Sequence, residues 1–348
     1  MKKNILFCGT PEFAIASLKS IYEHQNNLNY KLVGVLTIPN KIAGRGQKTQ
    51  ESAVKKEAKN LGLKIFEPRN LDEPHFINQI KKLNLDLIIV VAFKKLPKIL
   101  FNIPTIGTIN LHASLLPNYR GAAPINWVII NGEKETGLTT FFINENIDTG
   151  DIILQSRISI DENWNAGDLH NKLMEQSNLI MYNTIKVITQ GSYTTIKQNT
   201  QLNQQLKYAP KITKHDRLID KSFWTNKTLE EIYNFIRGMS PPGIKTSIII
   251  YQKNITQIKS KKKTSVKNII ITKVGNYIKK KTESCLQKNS NIYICSTDTN
   301  QIVITNNIAS FNIEKLKIEN GKEITAKEFY NGFLKNKNNI NKISFKDI

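Results

Sequence analysis

The chain has 348 residues, with 50 Lys and Arg against 28 Asp and Glu, a formal net charge of +22 and a pI near 9.7. That length exceeds one ordinary small domain and fits two, and a 40% hydrophobic share is enough for real cores, which excludes a disordered polypeptide. The charge excess favours polyanionic partners, because neutralising phosphates releases condensed counterions, while the abundance of Lys, Asn and Ile also follows from an AT-rich genome.

The start, MKKNILFCGTPEFA, is too short in its apolar part for a signal h-region, and no stretch reaches the roughly 18 apolar residues of a membrane span. Cys8, Cys285 and Cys295 have no CxxC spacing and leave one unpaired in any disulfide scheme, so a reduced, cytoplasmic setting is expected. Asn4 to Cys8 predicts a buried strand, and Gly9-Thr10-Pro11-Glu12 a turn into a helix running to about His24, with Pro11 near the first helical position. Lys31 to Thr37 is a second strand. Leu85 to Phe93 is a third, whose near-continuous hydrophobicity implies burial on both faces. Helical patterns at Glu51 to Leu61 and about Glu73 to Lys82 separate them, and this alternation predicts a mostly parallel α/β sheet. The opening turn holds only Gly9 where a dinucleotide fingerprint needs G-x-G-x-x-G, which makes an NAD enzyme a weak reading.

The chemistry concentrates in Ile106 to Trp127, IGTINLHASLLPNYRGAAPINW. A β-branched run there delivers Asn110 and His112 at alternate positions, hence on one face of a strand. A lone His at a strand end is more often structural than catalytic. Here it is joined by a loop, Ser114, Leu115, Leu116 and Pro117, then Tyr119-Arg120-Gly121, before a helix expected from Ala122. Strand, loop, helix is where open α/β sheets place their sites. Upstream, Pro39 to Gln50 reads as a basic glycine-containing loop with Lys41, Arg45 and Lys48.

Downstream, Gly137 to Ile143 predicts a strand, Asn144 to Asp151 a polar turn carrying Asp148, Ile152 to Ile160 another strand, and Ala166 to Ile188 an amphipathic helix. Composition turns polar and rich in Gln and Asn at 190–206, the expected linker between domains at 1–189 and 207–348. The second domain has a helix at Leu229 to Arg237 and strand-like runs at Lys245 to Tyr251, Asn268 to Lys273, Asn291 to Cys295 and Gln301 to Thr305, a spacing that suits a small barrel or sandwich. It also carries Lys259, Lys261, Lys262, Lys263, Lys267, Lys273, Lys279, Lys280 and Lys281, which beside a catalytic domain suggests a patch for a nucleic-acid backbone.

INLHASLLPNYRGAAPINW followed by ETGLTTFFINENIDTGDII resembles the signature of folate-dependent formyltransferases. The likeness extends to FCGTPEFA at Phe7 to Ala14, AGRG at Ala43 to Gly46, YAPKITKHDRLIDKSFW at Tyr208 to Trp224 and KLKIENGKEITAKEFYNG at Lys315 to Gly332. The basic loop and second domain point to the tRNA-directed branch. The resemblance implies a Rossmann-like catalytic domain at 1–189 and a smaller OB-like β-barrel at 207–348 that binds tRNA. The implied reaction moves a formyl group from 10-formyltetrahydrofolate to the amino group of initiator methionyl-tRNA. Asn110, His112 and Asp148 match the family's catalytic trio, Ser114 to Pro117 its folate-binding segment, and Arg45 and Lys48 its tRNA-contacting loop. No metal is implied, and a monomer is expected.

In that chemistry Asn110 would donate to a developing oxyanion and His112 would move a proton near neutral pH. Asp148 would either hold the imidazole in one tautomer or accept the amine proton through water. The chain departs from the family pattern at Lys94-Lys95-Leu96-Pro97, in place of Gly and a longer apolar connection, at Ser52 to Lys55, where a proline is usual, and at Met239 to Gly243, in place of a Pro-Trp type segment. Two other readings are a formyltransferase acting on a small amine, and a non-catalytic RNA-binding protein on this fold. The first would not need the lysine-rich domain, and the second does not explain intact Asn110, His112 and Asp148.

Overall fold

Runs of β-branched residues and leucine build a seven-stranded sheet in the first part of the chain. The computed structural model describes residues 2–43, 48–198, 205–252, 263–279, 292–296, 301–306, 308–336, 339–340 and 342–345. The strands are β1 (Lys3–Gly9), β2 (Tyr30–Leu36), β3 (Ile65–Phe66), β4 (Leu87–Val91), β5 (Gly107–His112), β6 (Glu135–Phe142) and β7 (Ile152–Ser159). Their order is β7-β6-β5-β4-β1-β2-β3. From β3 to β5 every neighbour is parallel, while β6 runs antiparallel to β5 and β7 to β6. All five residues of β4 are buried, as its unbroken apolar sequence predicts for a central parallel strand.

Chain order reverses between β1 and β4, which makes their carboxyl ends a switch point where open α/β sheets hold their ligands. β5, beside β4, ends at His112. Pro11 leads into a 3-10 turn, Glu12–Ala14, that continues as α1 (Ile15–Glu23). The next helix, α2 (Ala53–Asn60), is capped by Ser52, whose hydroxyl accepts from the Lys55 amide. Pro74 opens α3 (Pro74–Lys81), and the long amphipathic pattern becomes α4 (Ala166–Gln190).

Contacts divide the chain into two compact units. One comprises Met1–Pro124, Glu135–Ser159 and His170–Pro210, the other Ile125–Lys134, Ile160–Leu169 and Lys211–Ile348. The division therefore does not fall at one point in the sequence, and the described parts of 190–206 belong with the first unit.

In the second unit α5 (Leu229–Gly238) begins with a capping box. Thr228 Oγ1 accepts from the Glu231 amide, and the Glu231 carboxylate accepts from the Thr228 amide. The strands β8 (Ile244–Gln252), β9 (Lys263–Lys279), β10 (Tyr293–Ser296), β11 (Ile302–Thr305), β12 (Ala309–Ile318) and β13 (Lys342–Phe345) follow. They pair antiparallel in the order β10-β11-β12-β9-β8-β13, and β13 returns against β10, so the sheet curls into a nearly closed barrel. Ile271, Ile304, Phe311, Leu316 and Phe329 fill it, and Trp224 stacks on Phe345 with ring centroids 3.9 Å apart. A Rossmann-like α/β domain with a smaller β-barrel is the architecture expected. The strand bounds differ: β9 is 17 residues long where six were expected, and β12 and β13 were not expected. Lysines and asparagines interrupt those runs, but on an antiparallel barrel the alternate residues face solvent and carry them without cost.

Several carboxylates in this unit act as helix caps. The Thr228 amide holds the Glu231 carboxyl below the usual carboxylate range, and the Thr325 amide does the same for Glu328. Folded values below the unfolded ones mean that this stability is complete above the ordinary carboxylate pKa of about 4 and is lost as pH falls through the lowered folded values. The thermal midpoint should therefore drop on acidification through that window. Thr228→Ala should cost about 1 kcal/mol at neutral pH and reduce the pH dependence, read by thermal denaturation across pH.

Candidate active site

On β5 the backbone pairs Asn110 with Val90 on one side and Phe141 on the other, and His112 with Thr139. Asn110 and His112 leave one face of the strand, as their spacing requires. Asn110 is half-buried, and its amide makes no hydrogen bond to protein among the described residues. His112 is buried. Its Nε2 lies 2.8 Å from the Tyr119 carbonyl, and since a carbonyl only accepts, Nε2 carries a hydrogen. The other nitrogen, Nδ1, faces Asp148 Oδ2 at 3.7 Å, beyond hydrogen-bond length but close enough for charge to be felt.

Asp148 reaches His112 from the turn between β6 and β7. Its backbone sits at φ 54°, a left-handed conformation that Asp tolerates better than most residues. Its Oδ2 accepts from the Gly121 amide at 3.0 Å. Gly121 itself, at φ 127°, has no room for a side chain: a Cβ there would stand 2.4 Å from the Ala209 carbonyl oxygen. Gly150, which closes the turn, would bring a Cβ within 1.6 Å of the Phe142 carbonyl oxygen.

The loop Ser114–Pro117 is tied down from beneath. Ser114 is fully buried, and its hydroxyl donates to the Asn118 carbonyl at 2.7 Å. Thr139 Oγ1 donates to the Ser114 carbonyl at 2.6 Å and accepts from the Leu116 amide at 3.2 Å and from Gln155 Nε2 at 3.0 Å. Gln155 Nε2 also donates to the Leu116 carbonyl at 2.9 Å. Leu116 packs with Phe141 and Ile152. Of the four loop residues, Leu115 and Pro117 are the two that keep partly exposed surface.

Thr139, Gln155 and the Tyr119 carbonyl were not singled out from sequence. Thr139 lies opposite His112 only through the register of β6 against β5, and one-residue shifts in register leave no mark on a single sequence. Gln198 is a further addition, from the segment read as a linker. It bonds to Arg120, Asp148 and Gly150.

Arg45 lies outside the described residues. The backbone of Lys48 pairs with Ala43 in a short hairpin, and its side chain is outside them too. Of the lysine cluster, Lys259, Lys261, Lys262, Lys280 and Lys281 are likewise outside, as is the side chain of Lys263. Lys273 is paired with Glu314 at 2.9 Å, which raises its pKa, and Lys279 faces Glu230 at 3.8 Å. Lys267 lies over the Phe333 ring, 5.7 Å from its centroid. Lys94 and Lys95, the departure after β4, line a cleft of about 480 Å³ with Asn70, Asp72 and Glu145. Among the described residues no three His, Cys, Asp or Glu converge as a metal-ligand group, and no helix is long and apolar enough to cross a membrane.

Residues 1–185 match the model of the family described as Formyl transferase, and residues 211–334 that of Formyl transferase, C-terminal domain. A methionyl-tRNA formyltransferase of Flavobacterium johnsoniae is 50% identical over 241 residues, 69% of this chain and 73% of the relative. The chain belongs to the formyl transferase family, among the methionyl-tRNA formyltransferases.

Proteins of the same name from Bacteroides fragilis and Clostridioides difficile are 44% and 43% identical, over 69% and 68% of this chain and 73% and 74% of theirs. Among solved structures, an N-formyltransferase from Helicobacter canadensis, in complex with folinic acid and dTDP-3-aminofucose, superposes with a TM-score of 0.58 at 20% identity, covering 90% of this formyl transferase and 99% of that chain. A sugar 3N-formyl transferase crystallised in the presence of dTDP and 5-N-formyl-THF gives 0.59, also at 20% identity, over 90% and 98% of the two chains. At that identity the likeness is one of fold.

Thr139→Val keeps the shape of the formyl transferase loop support but strands the Ser114 carbonyl and the Leu116 amide. A loss of about 1–3 kcal/mol is expected in denaturant unfolding, together with weaker binding of a folate analogue measured by calorimetry.

Proposed function

We propose that this chain transfers the formyl group of 10-formyltetrahydrofolate to the α-amino group of initiator methionyl-tRNA, in the cytoplasm. One observation carries the reading: Asn110, whose side-chain amide makes no hydrogen bond to protein among the described residues, shares a strand face with a His112 whose Nε2 is committed to the Tyr119 carbonyl and whose Nδ1 faces Asp148. The name and close identity of the relatives support tRNA as the acceptor.

The reaction forms a bond between the amine nitrogen and the formyl carbon and breaks the bond from that carbon to the folate nitrogen, while one proton passes from amine to departing nitrogen. Asn110 donates to the formyl oxygen as negative charge develops there, a contribution worth about 3–4 kcal/mol at comparable sites. Since the Tyr119 carbonyl fixes Nε2 as a donor, the proton-exchanging position of His112 is Nδ1. The tautomer needs no help from Asp148. That leaves its carboxylate to stabilise positive charge on the imidazole and to take the amine proton, directly or through water. The amine, with an unperturbed pKa of about 8, is deprotonated in useful fraction near neutral pH. Leu115 and Pro117 offer the folate an apolar edge, and Arg45 and Lys48 engage the tRNA backbone.

His112→Ala should abolish most turnover with folate affinity little changed, and Asn110→Ala should lower kcat by about 10²–10³-fold. The deciding assay supplies 10-formyltetrahydrofolate with charged initiator or elongator methionyl-tRNA, and absence of formyl-methionine on the initiator would refute the assignment. Arg45→Ala should raise the KM for tRNA and lessen its salt dependence, and unchanged tRNA kinetics at low and high salt would remove Arg45 from the interface.

A further inference from the structure

The polar segment after α4 does more than connect. Ile196 exchanges both backbone hydrogen bonds with Ile152, at 2.8 and 2.9 Å, which seats the segment on the first residue of β7. Two residues on, Gln198 Nε2 donates to the Asp148 carbonyl at 3.0 Å and to the Gly150 carbonyl at 2.8 Å. Its Oε1 accepts from Arg120 Nε at 3.0 Å and Nη2 at 2.6 Å. Two donor hydrogens and two lone pairs are all that a primary amide has, so its bonding capacity is filled.

Those four bonds span the two walls of the site. Asp148 and Gly150 bracket the left-handed turn that presents the carboxylate to His112, and Arg120 precedes Gly121, whose amide donates to that same carboxylate. The guanidinium pulls electron density toward Oε1, and this strengthens donation from Nε2 to the two carbonyls. A conformation disfavoured for a residue with a side chain persists only where its surroundings over-determine it. The Asp148 turn has just such a brace.

We propose that Gln198 is a positioning residue for the transfer reaction, holding the Asp148 carboxylate in register with His112 and the Gly121 amide. This rests on the formyl-transfer reading above. Gln198 acts through Asp148, and none of its four side-chain bonds reaches Ser114 to Pro117. Its loss therefore falls on kcat, and the KM for the donor stays.

The test compares the full-length wild type with Gln198→Ala and Gln198→Glu. Glutamate can still accept from Arg120 but cannot donate to the two carbonyls, so it separates bracing of the turn from anchoring of Arg120. Both variants should lose about tenfold or more in kcat, with KM for 10-formyltetrahydrofolate within about twofold of wild type. Hydrogen exchange read by mass spectrometry should accelerate about tenfold in residues 144–151 and at Gly121 in both. Wild-type kcat in both variants, recovery by Gln198→Glu, or unchanged exchange would overturn the proposal. So would global unfolding of both variants, which a structural role alone explains. A wild type that does not formylate initiator methionyl-tRNA refutes the functional reading instead, and the exchange measurement still judges the brace without any turnover.

Discussion

The hydrogen bond from His112 Nε2 to the Tyr119 carbonyl is the constraint on which the rest of the first unit's site depends. It fixes which ring nitrogen carries the hydrogen, and it fixes the far end of the loop that starts two residues after the histidine. Loop and imidazole therefore cannot be positioned independently. From that bond outward, Thr139 and Gln155 hold the floor of the loop, and Gly121 passes the loop's amide to Asp148, whose carboxylate then faces the free side of the same ring. The protein closes a circuit of contacts around one strand end, and among the described residues the Asn110 side-chain amide makes no hydrogen bond to protein.

Much of this was legible in the sequence. The unbroken apolar run at Leu87–Val91 requires burial on both faces, and the alternation in β5 puts Asn110 and His112 on one side, because those inferences use only period and hydrophobicity. Helix starts were similarly legible at Pro74 and near Ser52. The contacts that shape the site were not. A backbone carbonyl has no letter in the sequence, Thr139 meets the loop only through strand register, and Gln198 sits in a stretch whose composition reads as filler. The long strand β9 was shortened in expectation because its lysines break the apolar pattern, although every second one costs nothing on an exposed barrel face.

Charge tells a related story. A net +22 invites the picture of a uniformly basic surface, yet the described lysines of the barrel are partly balanced by local carboxylates: Lys273 by Glu314, Lys279 by Glu230, Lys245 by Glu319 and Lys315 by Glu323. Exposed pairs of this kind contribute little to stability, on the order of 0–1 kcal/mol each. Their larger effect is on the field, since a lysine paired with a neighbouring glutamate adds little at a distance beyond a Debye length. Composition overstates the attraction that this part of the barrel face exerts on a polyanion.

The loop at Asn118–Gly121 is gripped twice by chain that is distant in sequence, once by Gln198 and again by the Tyr208–Ala209 strand, which pairs with Arg120 and Gly121. Both grips close on the same four residues. One residue added between Asn118 and Gly121 would unseat both grips together. Among related chains the four residues they clasp should therefore keep a fixed count.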